Sequence, residues 1–544
     1  MTRSTRVQLS RLSIALVAAL AMAPAFAQST SSGVSGTVTG TDGKPVAGAD
    51  VTITHVESGT VRHATTDANG RYAAQGLRVG GPYTISVNSA AGTDTESDVY
   101  LQLNQVSTVD AHLGAAAGTL DTVTVTATRI APVFNTNNKG LGTNISGRKL
   151  ETAVSGNRSL DDIARLDPRI NVTDQGDGSI SLAGQNNRYN RISVDGLSVN
   201  DPFGLNANGL GFTGSPISPD TIAAYDIKVS DYDASSDSVG ASINAVTKSG
   251  TNEFHGSVYG VYNNAEDMVG NGSNGTDYAA YDTNKTFGAT FGGPIIKDRL
   301  FFFASYEDQK INGLAGAGAD ALTTGKLTQA QLDDVAQAFQ TIGIDTGSGG
   351  GDVVQEDKRY LAKIDWNITD TQRASFTYQR TEETKPTPYN SYTGQSHYLF
   401  PSNWYTTNNK TDNYSLQLFS DWSDNFSTEF KLGYQKYSNN NGATVDQPEV
   451  FACFTAVASE CSGSPPVFRN IRDTVAVIAG EDWYRHENAV SSKLITGTLS
   501  GTYYAGDHTI KGGVDYLSNL TADIFGQGLH GSYGFYDKNG NGSP

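Results

Sequence analysis

Cysteine is nearly absent from this chain: Cys453 and Cys461 are the only two in 544 residues. Two thiols with no histidine nearby make a poor zinc site, and in an exported chain a disulfide between Cys453 and Cys461 is the natural expectation. Long apolar runs are missing as well. Beyond the first two dozen residues nothing approaches the roughly 18–20 apolar residues of a membrane-spanning helix. Basic residues are in deficit, 38 Lys and Arg against 56 Asp and Glu, and the net charge of −18 argues against a nucleic-acid partner. That acidity names no ligand, since acidic surfaces also keep proteins soluble. Catalytic constellations are lacking too: no Ser/His/Asp set in context, no HExxH, no spaced carboxylate pair. No phosphate-cradling GxxxxGK[ST] or GxGxxG sits between a strand and a helix. No enzyme is expected.

What is present begins with an export signal. Arg3, Arg6 and Arg11 precede an apolar run, Leu12 to Ala23, and Ala25-Phe26-Ala27 supplies small residues for cleavage between Ala27 and Gln28. A dozen apolar residues are too few to anchor a helix in a bilayer, so 1–27 is read as a secretory signal peptide. The remainder holds 60 Gly, 26 Tyr and 21 Phe with only 37% hydrophobic residues, a composition that suggests mainly β structure.

Residues 33–112 carry short β-rich runs (33–39, 50–56, 83–88) separated by turn clusters such as Thr41-Asp42-Gly43-Lys44-Pro45 and Asp67-Ala68-Asn69-Gly70. This spacing predicts a small β-sandwich. Gly36-Thr37-Val38, Pro45-Val46-Ala47-Gly48-Ala49 and Thr66-Asp67-Ala68-Asn69-Gly70-Arg71-Tyr72 resemble the carboxypeptidase-regulatory-like (transthyretin-like) domain. The name implies no peptidase chemistry here: His55, His63 and His112 are scattered and propose no ligand set.

Within the linker 113–134, Asp121-Thr122-Val123-Thr124-Val125-Thr126 opens an isolated alternating β-former. It could close the sandwich, or add to the sheet edge of another protein. Its wording and position resemble the TonB box of TonB-dependent receptors, which implies TonB as partner. Residues 135–253 resemble the plug domain of those receptors. Leu160 to Leu166 reads as a short helix ended near Pro168, Asn190 to Gly196 as a strand into an Asp-Gly turn, and Ile222 to Val229 as a further strand. Ser238 to Gly256 looks like the plug-to-barrel junction.

From 254 to 544 the pattern is alternation, as in Tyr360, Ala362, Ile364 and Trp366 interleaved with Leu361, Lys363, Asp365 and Asn367. A barrel facing lipid outside and water inside requires this, but a sheet with one wet face would give it too. Link lengths separate the two. About nine strands are expected, at 254–262, 286–293, 299–307, 359–367, 373–380, 413–422, 427–437, 493–503 and 508–517. From the second strand on, short links alternate with long ones, as outer-membrane barrels require. Entry of the first strand from the periplasm would put every long loop, Cys453 and Cys461 included, outside the cell. Gly292 to Phe303 resembles the second hairpin of the Oar-like subgroup of TonB-dependent receptors, and its Phe301-Phe302-Phe303 triplet could also serve as an interface girdle. Nine strands leave open edges, so the barrel is expected to be incomplete and the chain to be part of a longer protein.

Asp537, Asn539 and Asn541 fit the opening of a calcium loop. The same run by default makes an exposed turn. Tyr389, Tyr392, Tyr398, Trp404 and Tyr405 crowd one long loop, where they could stack on a ligand or belong to the interface belt. The resemblance implies an outer-membrane, TonB-dependent transporter or receptor for an unknown extracellular ligand, with sandwich and TonB box in the periplasm. An adhesin or protein-export factor on the same scaffold is the alternative.

Overall fold

The computed structural model describes residues 29–114, 140–153, 155, 158–174, 178–182, 184–201, 203–204, 206, 208–231, 240–265, 281–313, 320–347, 353–387, 396–461, 474–506, 508–540 and 544. Its architecture is mainly β, in four parts.

The first is a sandwich. Arg71–Leu77, Ser32–Thr39 and Val106–Thr108 form one sheet, with Ala111–His112 also on Ser32–Thr39; Thr60–Thr65, Asp50–His55, Gly80–Ser89 and Gly92–Leu101 form the other. Alternation fills the space between them with Val34, Val38, Val51, Ile53, Tyr72, Ile85 and Val87. The turn expected at Asp67 is built by its carboxylate, which accepts the N–H groups of Asn69 (2.8 Å) and Arg71 (2.9 Å). Gly70 has φ +72°, and a Cβ there would meet Val38 O at 2.6 Å, so the turn needs glycine.

The second part is a mixed five-stranded sheet in the order Leu197–Ser198, Arg191–Val194, Ser242–Thr247, Ile222–Asp231, Gly140–Ser146, with one parallel pairing between Arg191–Val194 and Ser242–Thr247. Asp195 (φ 47°) and Gly196 (φ 79°) close the two-residue hairpin joining Arg191–Val194 to Leu197–Ser198. The short helices Gly147–Glu151 and Leu160–Ala164 and the ribbon Ile170–Asp174/Ser179–Leu182 complete this unit. Ile145, Ile163, Ile192, Tyr225 and Ile243 lie in its core.

The third part is an antiparallel wall of nine strands, each paired with its chain neighbour: His255–Asn264, Thr283–Ile296, Leu300–Asn312, Val354–Thr369, Gln372–Thr387, Tyr405–Ser423, Phe426–Ala443, Glu487–Ala505 and His508–Gly526. All nine expected strands are present, but most run further on the long-loop side. The sixth, expected at 413–422, is paired from Tyr405, because the ladder continues through Thr406 to Lys410, where polar residues on both faces erase the apolar alternation. The first and ninth strands are not paired with each other among the described residues, so the wall is open.

This wall is inside-out relative to a water-soluble sheet. In the fourth strand Gln355, Asp357, Arg359, Lys363, Asp365 and Asn367 are buried, whereas Ile364 and Trp366 are 42% and 49% exposed. Burying that many polar groups while exposing apolar ones would be strongly unfavourable in water. It is favourable when the outer face meets lipid and the inner face meets polar partners.

The fourth part gives the long links a structure of their own. Four long-loop segments build a small sheet in the order His397–Leu399, Ala476–Ala479, Glu449–Cys453, Ser532–Tyr536. The helix Gln329–Thr341 packs on it through Leu332, Val335 and Phe339. A capping box, Thr328 with Gln331, starts this helix.

Candidate functional site

The inner face of the wall and the mixed sheet's unit meet along a mostly polar seam, centred on Glu307 of the third strand, which is fully buried. One carboxylate oxygen accepts Arg359 Nη1 at 2.6 Å. The other accepts Arg158 Nε (3.1 Å) and Nη2 (2.5 Å), Ser218 Oγ (2.8 Å) and Tyr259 OH (2.9 Å). Arg158 and Ser218 belong to the inner unit; Arg359 and Tyr259 belong to the wall. Arg158 also pairs with Asp220 and lies over the Tyr259 ring, 4.7 Å from its centroid. Arg359 donates from Nε to the carbonyl of Ser215 at 2.7 Å, crossing the seam again.

Two further contacts flank this clasp. Glu383 accepts Thr213 N–H (2.9 Å), Thr213 Oγ1 (2.7 Å), Gly214 N–H (3.1 Å) and Asn409 Nδ2 (2.8 Å). The Asp195 turn is gripped from both sides: its carboxylate takes Thr247 Oγ1 at 2.6 Å and wall Thr377 Oγ1 at 3.2 Å, and its carbonyl takes wall Gln417 Nε2 at 2.9 Å. Apolar contact across the seam is narrow, with Phe303 and Leu361 of the wall joining the inner unit's core.

On the short-turn side the sandwich docks on both partners. Arg62 pairs with Asp421 at 2.7 Å, Arg78 Nη1 donates to Gly250 O at 3.1 Å, and Asn367 Nδ2 donates to Thr60 Oγ1 at 3.0 Å. The three bodies surround a space of about 2580 Å³ lined by, among others, Arg78, Lys149, Ser155, Asp220 and Lys248. The sandwich therefore sits at the end of the wall opposite the long loops.

The residues singled out in the sequence fall in several places. Asp121 to Thr126, Ala27 and Gln28 lie outside the described residues, as do Tyr389, Tyr392 and Asn541. Cys453 and Cys461 are joined (Cα–Cα 5.8 Å) beneath the small loop sheet, beside Phe451, Ala476 and Ile478. Asp537 is buried and accepts Gly540 N–H on its carbonyl at 3.2 Å in a turn, whereas Asn539 is exposed. Tyr398 packs edge-on against Phe400 in the loop layer, and Tyr405 lies under Arg485. The phenylalanine triplet does not act as one girdle, because successive side chains of a strand point to opposite faces. Phe302 joins Phe254 and Phe291 in an aromatic cluster, whereas buried Phe301 lies under Arg78 and Phe303 packs on the inner unit.

Sequence reasoning missed the clasp. Glu307 and Arg359 share the polar parity of their strand neighbours, Arg158 stands in an irregular segment before a short helix, and only tertiary structure brings the three together. It also missed the loop helix, although Thr328-x-x-Gln331 and the apolar spacing Leu332, Val335, Phe339 were a usable signal.

Together, the inside-out wall and the α+β unit lodged against its polar inner face define a protein of the outer-membrane barrel class. Residues 246–342 and 348–544 match the outer membrane beta barrel domain, and the chain belongs to that family. Residues 33–114 match the carboxypeptidase regulatory-like domain. The chain is similar to the TonB-dependent transporter Oar of Myxococcus xanthus, 32% identical over 300 residues, covering 52% of this chain and 27% of Oar. It thus spans about a quarter of that relative's length. Among solved structures it resembles the outer membrane transporter YddB of Escherichia coli, with 14% identity and TM-score 0.49 over 70% of this chain and 48% of YddB. It also resembles the siderophore receptor PirA of Acinetobacter baumannii, with 17% identity and TM-score 0.47 over 70% and 48%.

Proposed function

We propose that this chain provides the plug, part of the wall and the periplasmic coupling region of a TonB-dependent outer-membrane transporter. Ligand arrives from the long-loop side, TonB pairs with the Asp121–Thr126 strand, and the pull dislodges the plug; the reading assigns no reaction to the chain. The polar seam around Glu307 carries it. A seam of ion pairs and hydrogen bonds is exchanged for water contacts when it opens, whereas a continuous apolar seam would lose its hydrophobic stabilisation outright. A plug that must move and return is better held by the first kind.

The test is Val123→Pro in the full-length protein in cells. Proline removes a ladder N–H donor from the strand offered to TonB, so energised uptake should cease while the protein still reaches the outer membrane. Uptake that continues unchanged, or that is equal in cells lacking TonB, would refute the reading.

A further inference from the structure

We infer that the outer loop layer holds a site for a divalent transition-metal ion of the zinc class, formed by Glu481, His486 and His530. These residues come from two long links: 480–486, before the eighth wall strand, and 527–531, after the ninth. One ligand atom from each lies within 4.8 Å of the other two. Glu481 Oε2 stands 2.8 Å from His530 Nδ1 and 3.8 Å from His486 Nε2. Ligands at 2.0–2.1 Å around a tetrahedral ion are separated by about 3.3 Å, so small side-chain movements admit the ion.

Three observations point to a ligand rather than to a satisfied polar cluster. The His486 side chain has no solvent exposure, yet its Nε2 makes no well-formed hydrogen bond and faces only the Glu481 backbone and carboxylate. A buried imidazole nitrogen left in this way is unfavourable unless something occupies the place it faces. The other ring nitrogen of His530 is 3.2 Å from Asp446 Oδ1, the carboxylate–histidine arrangement that orients a metal-binding imidazole and raises its basicity. Finally, the two links are clipped independently of the site. Gly528 N–H donates to Trp483 O at 3.0 Å, Glu481 N–H to Gln447 O at 3.3 Å, and Glu449 N–H to Gly531 O at 3.2 Å.

Two imidazoles and one carboxylate suit borderline divalent ions such as zinc and not calcium, which takes six to eight oxygens. Glu481 and His486 form the buried floor, and the 39%-exposed side chain of His530 leaves a coordination position open toward the outside. His486 Nδ1 accepts the His530 N–H at 3.2 Å, which puts the proton of the neutral ring on Nε2. Coordination through Nε2 moves that proton to Nδ1 and opens this backbone contact, so the 528–531 turn reports on occupancy.

The experiment is calorimetric titration of the full chain in detergent micelles, stripped with chelator, with zinc chloride and separately with calcium chloride. Zinc should bind with one equivalent at micromolar or tighter affinity, with no calcium heat and with altered amide exchange at 528–531. His530→Ala changes only the half-exposed ligand and should weaken zinc at least tenfold without disturbing the loop layer. His486→Gln should do the same, with an intact Cys453–Cys461 bond and an unchanged circular dichroism spectrum reporting the fold. A folded chain that gives no zinc heat, or a His486→Gln/His530→Ala double variant that binds as tightly as the parent, overturns the assignment.

Discussion

Removing Arg158 tests whether the plug is held by the clasp. In Arg158→Ala, Glu307 keeps Arg359, Ser218 and Tyr259 as donors but loses the two guanidinium bonds at 3.1 and 2.5 Å. Hydrogen bonds to charged groups contribute about 1.5–3 kcal/mol, and the retained partners put the loss near the lower end, about 2 kcal/mol. Glu307→Ala should cost more, toward the roughly 3–5 kcal/mol expected when one member of a buried charge cluster is removed. It leaves the two guanidinium groups with Asp220, Asp357, Gln309, Ser218 and the Ser215 carbonyl to share, and Asp220 and Asp357 as their only carboxylates among the described residues. The two changes touch one contact, so their effects should fall short of additive by about 1–3 kcal/mol. Cys453 and Cys461 are joined to each other, so Ala245→Cys, at a buried plug position, adds a reactive thiol that is read against the unlabelled background of the parent. Its maleimide labelling against urea, in outer-membrane vesicles holding the full-length protein, gives the free energy of plug opening. The exposed Asp42→Ala is the control. If Arg158→Ala shifts that free energy no more than Asp42→Ala, or if the double-mutant cycle shows no coupling, the clasp does not hold the plug.

Acid should destabilise the sandwich through His55. Burial, and secondarily Arg78, lowers its pKa from 6.5 to about 3. Below pH 6.5 the unfolded chain therefore takes up a proton that the folded chain refuses. Stability present above pH 6.5 is lost toward pH 3 at up to about 1.4 kcal/mol per pH unit; urea unfolding of a 29–114 fragment should show that slope, and His55→Gln should flatten it between pH 6.5 and 4.5. The same experiment asks whether the fragment folds alone, as its closed core requires. Reduction of the Cys453–Cys461 bond, which spans eight positions, should cost the loop layer about 2–3 kcal/mol, read as faster protease nicking near 455–461 with the wall strands still protected. Thr328→Ala should weaken the loop helix by about 1 kcal/mol, seen as faster amide exchange at 331–335 with no change at the plug.

Where sequence reasoning succeeded, each residue acts through its local chemistry. Asp195-Gly196 predicts its turn because few other residue pairs adopt two successive left-handed conformations. Ile364 and Trp366 predict their face because strand parity is fixed by the backbone. Where it fell short, the missing information was tertiary. The polar stretch 405–410 belongs to a strand because residues 382–387 and 438–443 pair with it on either side. Phe301 and Phe303 turn inward because the sandwich and the plug lie there to receive them, which no property of a phenylalanine triplet announces. Glu307 looks like any other lumen-facing polar residue until Arg158, from a separate unit, arrives beside it.

The same distinction explains why the strongest features of this chain are polar. A wall in lipid cannot use apolar burial to hold a plug without presenting an apolar lumen, which would collapse or exclude the water a transport path needs. Specific polar pairs are the remaining means, and they impose geometry: Glu307 is satisfied only when Arg158 and Ser218 stand at the right depth in the lumen. The sandwich adds a second constraint, since Arg62 on Asp421 ties it to the short-turn rim while Arg78 reaches the plug-to-wall junction at Gly250. A pull on residues 121–126 would act between that docked sandwich and the plug. The rim contacts and the lumen clasp are thus arranged in series, and in the proposed cycle the contact that yields first sets the force at which the path opens.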